Sequence, residues 1–325
     1  MPDARMARRK FLKQAAIAAG TALTLGAGGA LAQDRKSRVV QSYDVRAKGD
    51  YAYRQALVDE MVAKGITALT GENDPRAAWG SLFKPDDAVA VKVNCLFGPN
   101  ASTHPEVTNA VVSGLKSAGV SEDNIIVWDR SDGDLTKCGY SINRNGPGVR
   151  CYGTGGDYEA NPTRNRSFNG RLSKILTQRC TALVNVPILK DHAIAGITCA
   201  MKNHYGSFNN PGEHHGNNCD PYLADLNDVP AIRDKTRLIV CDAIRPLAHG
   251  GPGLKPQHLW DCGMLLLSTD PVALDYTGWQ IIEERRKAVG LPTLAAQTRP
   301  AKHIATAASR GLGTNDPERI ELVRV

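Results

Sequence analysis

Short apolar runs alternate along this chain with stretches of helical period. Residues 88–93, Ala-Val-Ala-Val-Lys-Val, are almost continuously apolar and end at Asn94, the pattern of a strand buried on both faces. Ile125-Ile126-Val127-Trp128, set between Asn124 and Asp129, predicts a second strand. Between them Val107, Val111 and Leu115 fall on one helical face through about Ala118, and Gly119 ends the helix. Thr103-His104-Pro105-Glu106 reads as its capping box, with proline in the first turn. Strand, helix and strand in this order make a βαβ unit, hence a parallel sheet with a right-handed crossover.

The same reading places strands at 182–186, 238–242 and 265–267 and a helix from Tyr53 to Lys64. Asp270 caps a later helix with Pro271 at its first position, and Val272, Tyr276, Trp279 and Ile282 form its apolar stripe. Residues 33–50 are charged and aperiodic, a lead-in to the domain. Residues 130–170 are rich in Gly, Asn, Arg and Asp and predict an elaborated surface insertion. There is no internal repeat. The expectation is an α/β fold, a mostly parallel sheet with flanking helices, in a single elaborated domain over 33–325.

Residues 1–32 have a different pattern. Arg8-Arg9-Lys10-Phe11-Leu12-Lys13 precedes a mild Gly/Ala-rich run that ends in Ala30-Leu31-Ala32, the layout of a twin-arginine export signal. Ala7 stands where Ser or Thr is commoner. A membrane anchor fits less well, because Gly20, Gly26, Gly28 and Gly29 interrupt a run already short for a span. The signal implies the twin-arginine translocation machinery as a partner, a periplasmic location and no stable membrane span. This route moves proteins already folded, often around a cofactor. It also accounts for most of the charge. Of the chain's net +7, five Lys/Arg (Arg5, Arg8, Arg9, Lys10, Lys13) and one acid (Asp3) fall in residues 1–32, leaving only +3. No nucleic-acid partner is expected.

All eight cysteines follow this segment. Cys95, Cys180, Cys199, Cys241 and Cys262 adjoin apolar runs and read as buried thiols. Cys138, Cys151 and Cys219 lie in polar surroundings, and Cys138–Cys151 is the preferred bridge among the roughly one hundred pairings eight cysteines allow. No Cys-x-x-Cys occurs, so ferredoxin-type cluster ligation has no local signature.

The densest polar constellation is 185–215. It holds Asn185, Lys190, Asp191, His192, Lys202, Asn203, His204, His214 and His215, four of the chain's eight histidines among them. Such residues placed directly after a buried strand lie where parallel sheets bind ligands. Lys92 and Asn94 end the first strand, Asp129 and Asp132 follow the second, and Asp242 ends a later one, so several polar strand ends converge on one edge. His249-Gly250-Gly251-Pro252-Gly253 is a Gly-rich turn whose amides could approach an anion, although it lacks a phosphate-loop signature. Asp275 suits either a dipole role early in its helix or a functional one. The histidine spacing matches no standard zinc signature, and a solvated His-rich loop is the plain alternative.

Taken together, Val91-Lys92-Val93-Asn94, Thr103-His104-Pro105-Glu106-Val107, residues 184–192, Gly196 to Asn203, Asp242-Ala243-Ile244, Gly250-Gly251-Pro252 and residues 269–275 resemble the domain-of-unknown-function family 362. The resemblance runs over about 88–280 and departs at 93–95, where the family more often reads Pro-Asn-Leu. It implies fold and site location, since the family has no agreed activity. A fainter similarity, to the amino-terminal domain of lactate racemase-like enzymes, implies a nickel-pincer nucleotide held by a His and a Lys about ten residues apart and a later His. His192, Lys202 and His214 or His215 have that order.

The resulting expectation is an exported, metal- or cofactor-dependent enzyme of redox or isomerase type that acts on a small anionic substrate. Lys190, His192 and Lys202 would surround the reacting centre. Lys92, Asn94, Asn185, Asn203, Gly250 and Gly251 would bind a cofactor or small-molecule ligand. His192, His214 and His215 would hold a metal ion, in a nickel- or iron-containing cofactor whose identity the residues leave open. The alternative is a non-catalytic periplasmic metal-binding or redox-partner protein serving maturation.

Overall fold

The computed structural model describes residues 36–49 and 52–325. The expected export signal at 1–32 lies outside the described residues. Ser37–Val325 forms one compact unit. Its strands are β1 (Ser37–Tyr43), β2 (Val89–Lys92), β3 (Ile125–Trp128), β4 (Arg150–Cys151), β5 (Thr163–Asn165), β6 (Phe168–Gly170), β7 (Ala182–Asn185), β8 (Ile188–His192), β9 (Gly196–Thr198), β10 (Thr236–Leu247), β11 (Met264–Ser268) and β12 (Ile320–Arg324). The main sheet runs β12-β1-β11-β10-β7-β2-β3-β4, with β8 beside β10 and β9 beside β8. Along that path β11 alone runs against its neighbours. The sheet is therefore largely parallel.

Alternation along each strand divides the apolar side chains between two layers. Val89, Val91, Val240, Leu265 and Leu267 face α1 (Gln55–Thr70), α2 (Pro75–Leu82) and α3 (Pro105–Ser117). Ile239, Cys241 and Leu266 face α4 (Pro271–Ala288) and α5 (Lys302–Ser309). Burial on both faces is why these strands read as continuous apolar runs. Asp270 caps α4 as expected, its Oδ1 accepting from the Val272 and Ala273 amides at 2.8 and 2.9 Å. The stripe of α4 is shifted, however. Val272 and Ile282 are buried with Ala273 and Leu274, while Tyr276 and Trp279 are only partly covered.

Three further expectations are corrected. The lead-in at 33–50 contains β1, a strand inside the sheet between β12 and β11. Its buried polar residues conceal the pattern: Ser42 donates to the Met61 carbonyl at 2.7 Å, and Gln41 accepts from Arg324 at 3.0 Å. The capping box does not form. The Thr103 hydroxyl instead accepts from the Asn94 amide at 3.0 Å and donates to the Val186 carbonyl at 2.7 Å. The 130–170 stretch supplies the edge strand β4 and buries Leu135, Tyr140, Tyr152 and Phe168, so it is woven into the core.

β7 and β8 act as one strand broken at Pro187. β10 pairs with β7 through Ile239↔Asn185 and with β8 through Asp242↔Ile188. The proline has no amide to donate, but its carbonyl accepts from Asp242 at 2.8 Å, so the ladder continues past the break. The break carries β8 beyond the sheet edge, and β9 folds back on it as a hairpin. Among the described residues no helix is long and apolar enough to cross a membrane.

Candidate functional site

A cavity of about 400 Å³ opens beyond the carboxyl ends of β2, β3 and β8. Its floor rests on a buried polar lattice. Lys92, at the end of β2, donates to Asp129 at 2.7 Å and to the Val93 carbonyl at 2.6 Å. The other Asp129 oxygen accepts from the Cys95 amide at 2.6 Å. Gly206 passes directly over this ion pair. A Cβ there would lie 2.6 Å from the Asp129 carboxylate and 2.8 Å from the Lys92 amine, so only glycine allows the approach. Asn203 ties the strand ends together, donating to Asn185 at 2.7 Å and to the Lys92 carbonyl at 3.1 Å. The short helix Ala200–Asn203 that presents Lys202 and Asn203 is set by Asp275, whose carboxylate accepts from the Ala200 and Met201 amides. Asp275 thus serves a neighbouring helix rather than its own.

Two lysines line the cavity. Lys190 on β8 donates to the Ala101 carbonyl at 2.5 Å and to Asn94 at 3.2 Å, and burial pushes its amine down to about 7. Lys202 lies 3.5 Å from the centre of the Tyr205 ring and contacts His215 Nε2 at 3.1 Å. Burial, aided by the charge of Lys190, pushes it down to about 7 as well. Among the described residues no carboxylate bonds either amine.

The histidines have fixed tautomers. His192 Nδ1 accepts from both the Ile194 and Ala195 amides at 3.1 Å, so the neutral ring carries its proton on Nε2 and offers an N–H to the cavity. Burial and the nearby Lys202 hold its pKa down at about 2, so it stays neutral. His215 has the opposite arrangement. Its Nδ1 donates to the Pro211 carbonyl at 2.8 Å, which leaves the Nε2 lone pair facing Lys202.

Of the residues expected at the site, Asn94, Lys190, His192, Lys202, Asn203 and His215 line this one cavity. Lys92 and Asn185 lie on the same edge but behind the floor, fully engaged in the lattice. His204 is buried there too, bonded to Asn185 and Ser207. His214 points away, among Phe168, Phe208 and Tyr222, with Nε2 accepting from the Asn169 amide. Gly250 and Gly251 do not line the cavity. The Gly251 amide donates to Asp191 at 2.9 Å, and a Cβ there would fall 1.9 Å from the Asp191 carbonyl. The turn therefore braces β8 instead of cradling an anion.

The donor set does not fit the expected metal. His192 presents a proton, His215 is directed at an amine, and His214 lies elsewhere. Among the described residues no three His, Cys, Asp or Glu side chains come together as a metal site. The Cys138–Cys151 bridge is likewise replaced, both being free thiols, with Cys138 Sγ 3.4 Å from the Cys95 carbonyl. The sequence reading missed the apolar wall of Leu96, Phe97, Ile194, Pro211 and Pro252. Its one visible signal was the apolar pair Leu96-Phe97 in an otherwise Gly/Pro/Asn-rich loop.

The family model for a domain of unknown function (DUF362) matches residues 89–280. No curated protein matches the chain. A crystal structure of a protein from Thermotoga maritima is similar at 10% identity and a TM-score of 0.46, with 72% of this chain and 59% of that one covered. The chain thus spans less than two thirds of that relative's length.

Proposed function

The chain belongs to the family described as a domain of unknown function (DUF362), and from that premise we propose that its cavity binds a small organic anion at which Lys202 transfers a proton. The observation that carries this reading is the pair of buried lysines, Lys190 and Lys202, with no bonded carboxylate among the described residues. Burying an ammonium without a counter-charge is costly. A ligand carboxylate supplies the missing charge.

The chemistry follows from the fixed hydrogens. Lys190 anchors the anion. Lys202, titrating near neutrality and held on the His215 lone pair, takes a proton from a carbon next to the ligand's carboxylate or carbonyl. The His192 Nε2–H donates to the oxygen on which negative charge develops. Return of a proton from the Lys202 ammonium to the same or the adjacent carbon regenerates the amine and completes isomerase-type chemistry.

The test is the pH dependence of binding. Both lysines sit below their usual value of 10.5 at about 7. Between these values the unfolded chain holds more protons, so the empty protein gains stability as pH rises from about 7 towards 10. Anchoring the anion requires the Lys190 ammonium, so affinity falls as pH rises through 7, about tenfold per unit, while Lys202 takes the proton in its neutral amine form. Calorimetry with simple carboxylates at pH 6.5 and 8.0 should show weaker binding and proton uptake at the higher pH. Proton NMR in D2O should show exchange at C2 of 2-hydroxy carboxylates or at C3 of 2-keto carboxylates, the carbon next to the carbonyl, and Lys202→Met should abolish it. Binding that ignores pH would sink the lysine assignment; pH-linked binding without exchange would leave a non-catalytic anion carrier.

The proposal extends to location. The pattern of residues 1–32 supports export by the twin-arginine route to the periplasm. Changing Arg8 and Arg9 to Lys should retain the precursor in the cytoplasm on fractionation.

A further inference from the structure

The cavity has its polarity inverted. Its buried floor is polar, with Lys190, His192 and Lys202 each less than a tenth exposed, whereas its mouth is apolar and exposed. Leu96 is 51%, Phe97 42% and Ile194 39% exposed, and these are three of only nine large apolar side chains so exposed among the described residues. Their gathering at one opening is what a ligand surface requires and an ordinary surface does not. From this we infer that the ligand is an amphiphile: a carboxylate headgroup seated on Lys190, with an alkyl or aryl body lying against Leu96, Phe97 and Ile194. The inference rests on the anion reading above and adds the substrate class.

Floor and rim are contiguous. The Lys190 amine lies 5.1 Å from the centre of the Phe97 ring, so a group bonded to the amine reaches the ring with its next few atoms. The rim is also held in place. The Ile194 amide donates to His192 Nδ1, and its carbonyl accepts from Asn218 at 3.0 Å, so this exposed side chain sits on a pinned backbone. A cavity of about 400 Å³ is within the usual range for organic ligands and larger than a bare inorganic anion needs.

The experiment is a chain-length series of acetate, butyrate, hexanoate and octanoate, each below its micellar concentration, titrated calorimetrically at pH 6.5. Affinity should rise about fourfold per methylene. In the variant Leu96→Ser/Phe97→Ser/Ile194→Ser the rise should flatten, with octanoate losing far more affinity than acetate. Lys190→Met should lose all four ligands. Because the rim positions are exposed, the triple variant should melt as the wild type does, which separates lost contact from lost fold. Equal affinities for acetate and octanoate, both dependent on Lys190, would overturn the amphiphile and leave the anion reading standing. A chain-length gain that persists in the triple variant would overturn the rim assignment. Failure of every carboxylate to bind would overturn both readings.

Discussion

Asp191→Ala is expected to destabilise the protein by about 3–5 kcal/mol, the scale for stripping one partner from a buried ion pair. The carboxylate is buried against two guanidinium groups, from Arg299 at hydrogen-bond distance and from Arg286 at 3.6 Å. The Arg286 side chain is wholly buried, and its pKa is already lowered by burial and by the charge of Arg299. Without Asp191 the two cations face each other uncompensated. The Gly251 amide loses its acceptor as well. Thermal melting should fall by roughly 10 °C, given about 2–4 °C per kcal/mol for a domain of this size. Because Arg299 also donates to the His192 carbonyl at 3.3 Å, any variant that folds should bind carboxylates more weakly. An unchanged melting temperature would show that the arginines are satisfied by Pro292, Ala248 and Gln297 alone.

Asp129→Ala should cost a comparable amount, and here a second substitution sets the cause. Lys92 is buried with its amine on Asp129, so losing the carboxylate leaves an unpaired ammonium under the cavity floor. Removing that charge too, in Asp129→Ala/Lys92→Met, should recover much of the loss, since an apolar replacement of both partners avoids the uncompensated charge. Urea unfolding of the two single variants and the double variant forms the cycle. Simple additivity would mean that the pair is not energetically coupled and that Asp129 matters mainly through the Cys95 amide.

The sheet was legible in sequence where a strand is buried on both faces, because β2, β3 and β7 then show as unbroken apolar runs. The helix start at Asp270-Pro271 was legible because the cap is made within three residues of the side chain that makes it. β1 and the Thr103 turn were not, since the partners that satisfy Gln41 and Thr103, Arg324 and Val186, are far away in sequence. The site shows the same division. Polar residues following strand ends located the cavity edge. Whether each would face it was decided by turns: the 211–214 turn sends His214 to an aromatic nest and leaves His215 at the cavity. The tautomer of His192 depends on two amides of the following turn, which no spacing rule reports.

The hairpin of β8 and β9 has a consequence for exchange kinetics. Lys190, His192 and Lys202 all ride on one short run of chain, closed by the turn whose amides His192 itself accepts. A single local opening of that run dismantles the anchor, the N–H donor and the proton acceptor together. Occupancy of the cavity should therefore slow amide hydrogen exchange across 188–203 as one cooperative block, while β2 and β3 exchange at their former rates.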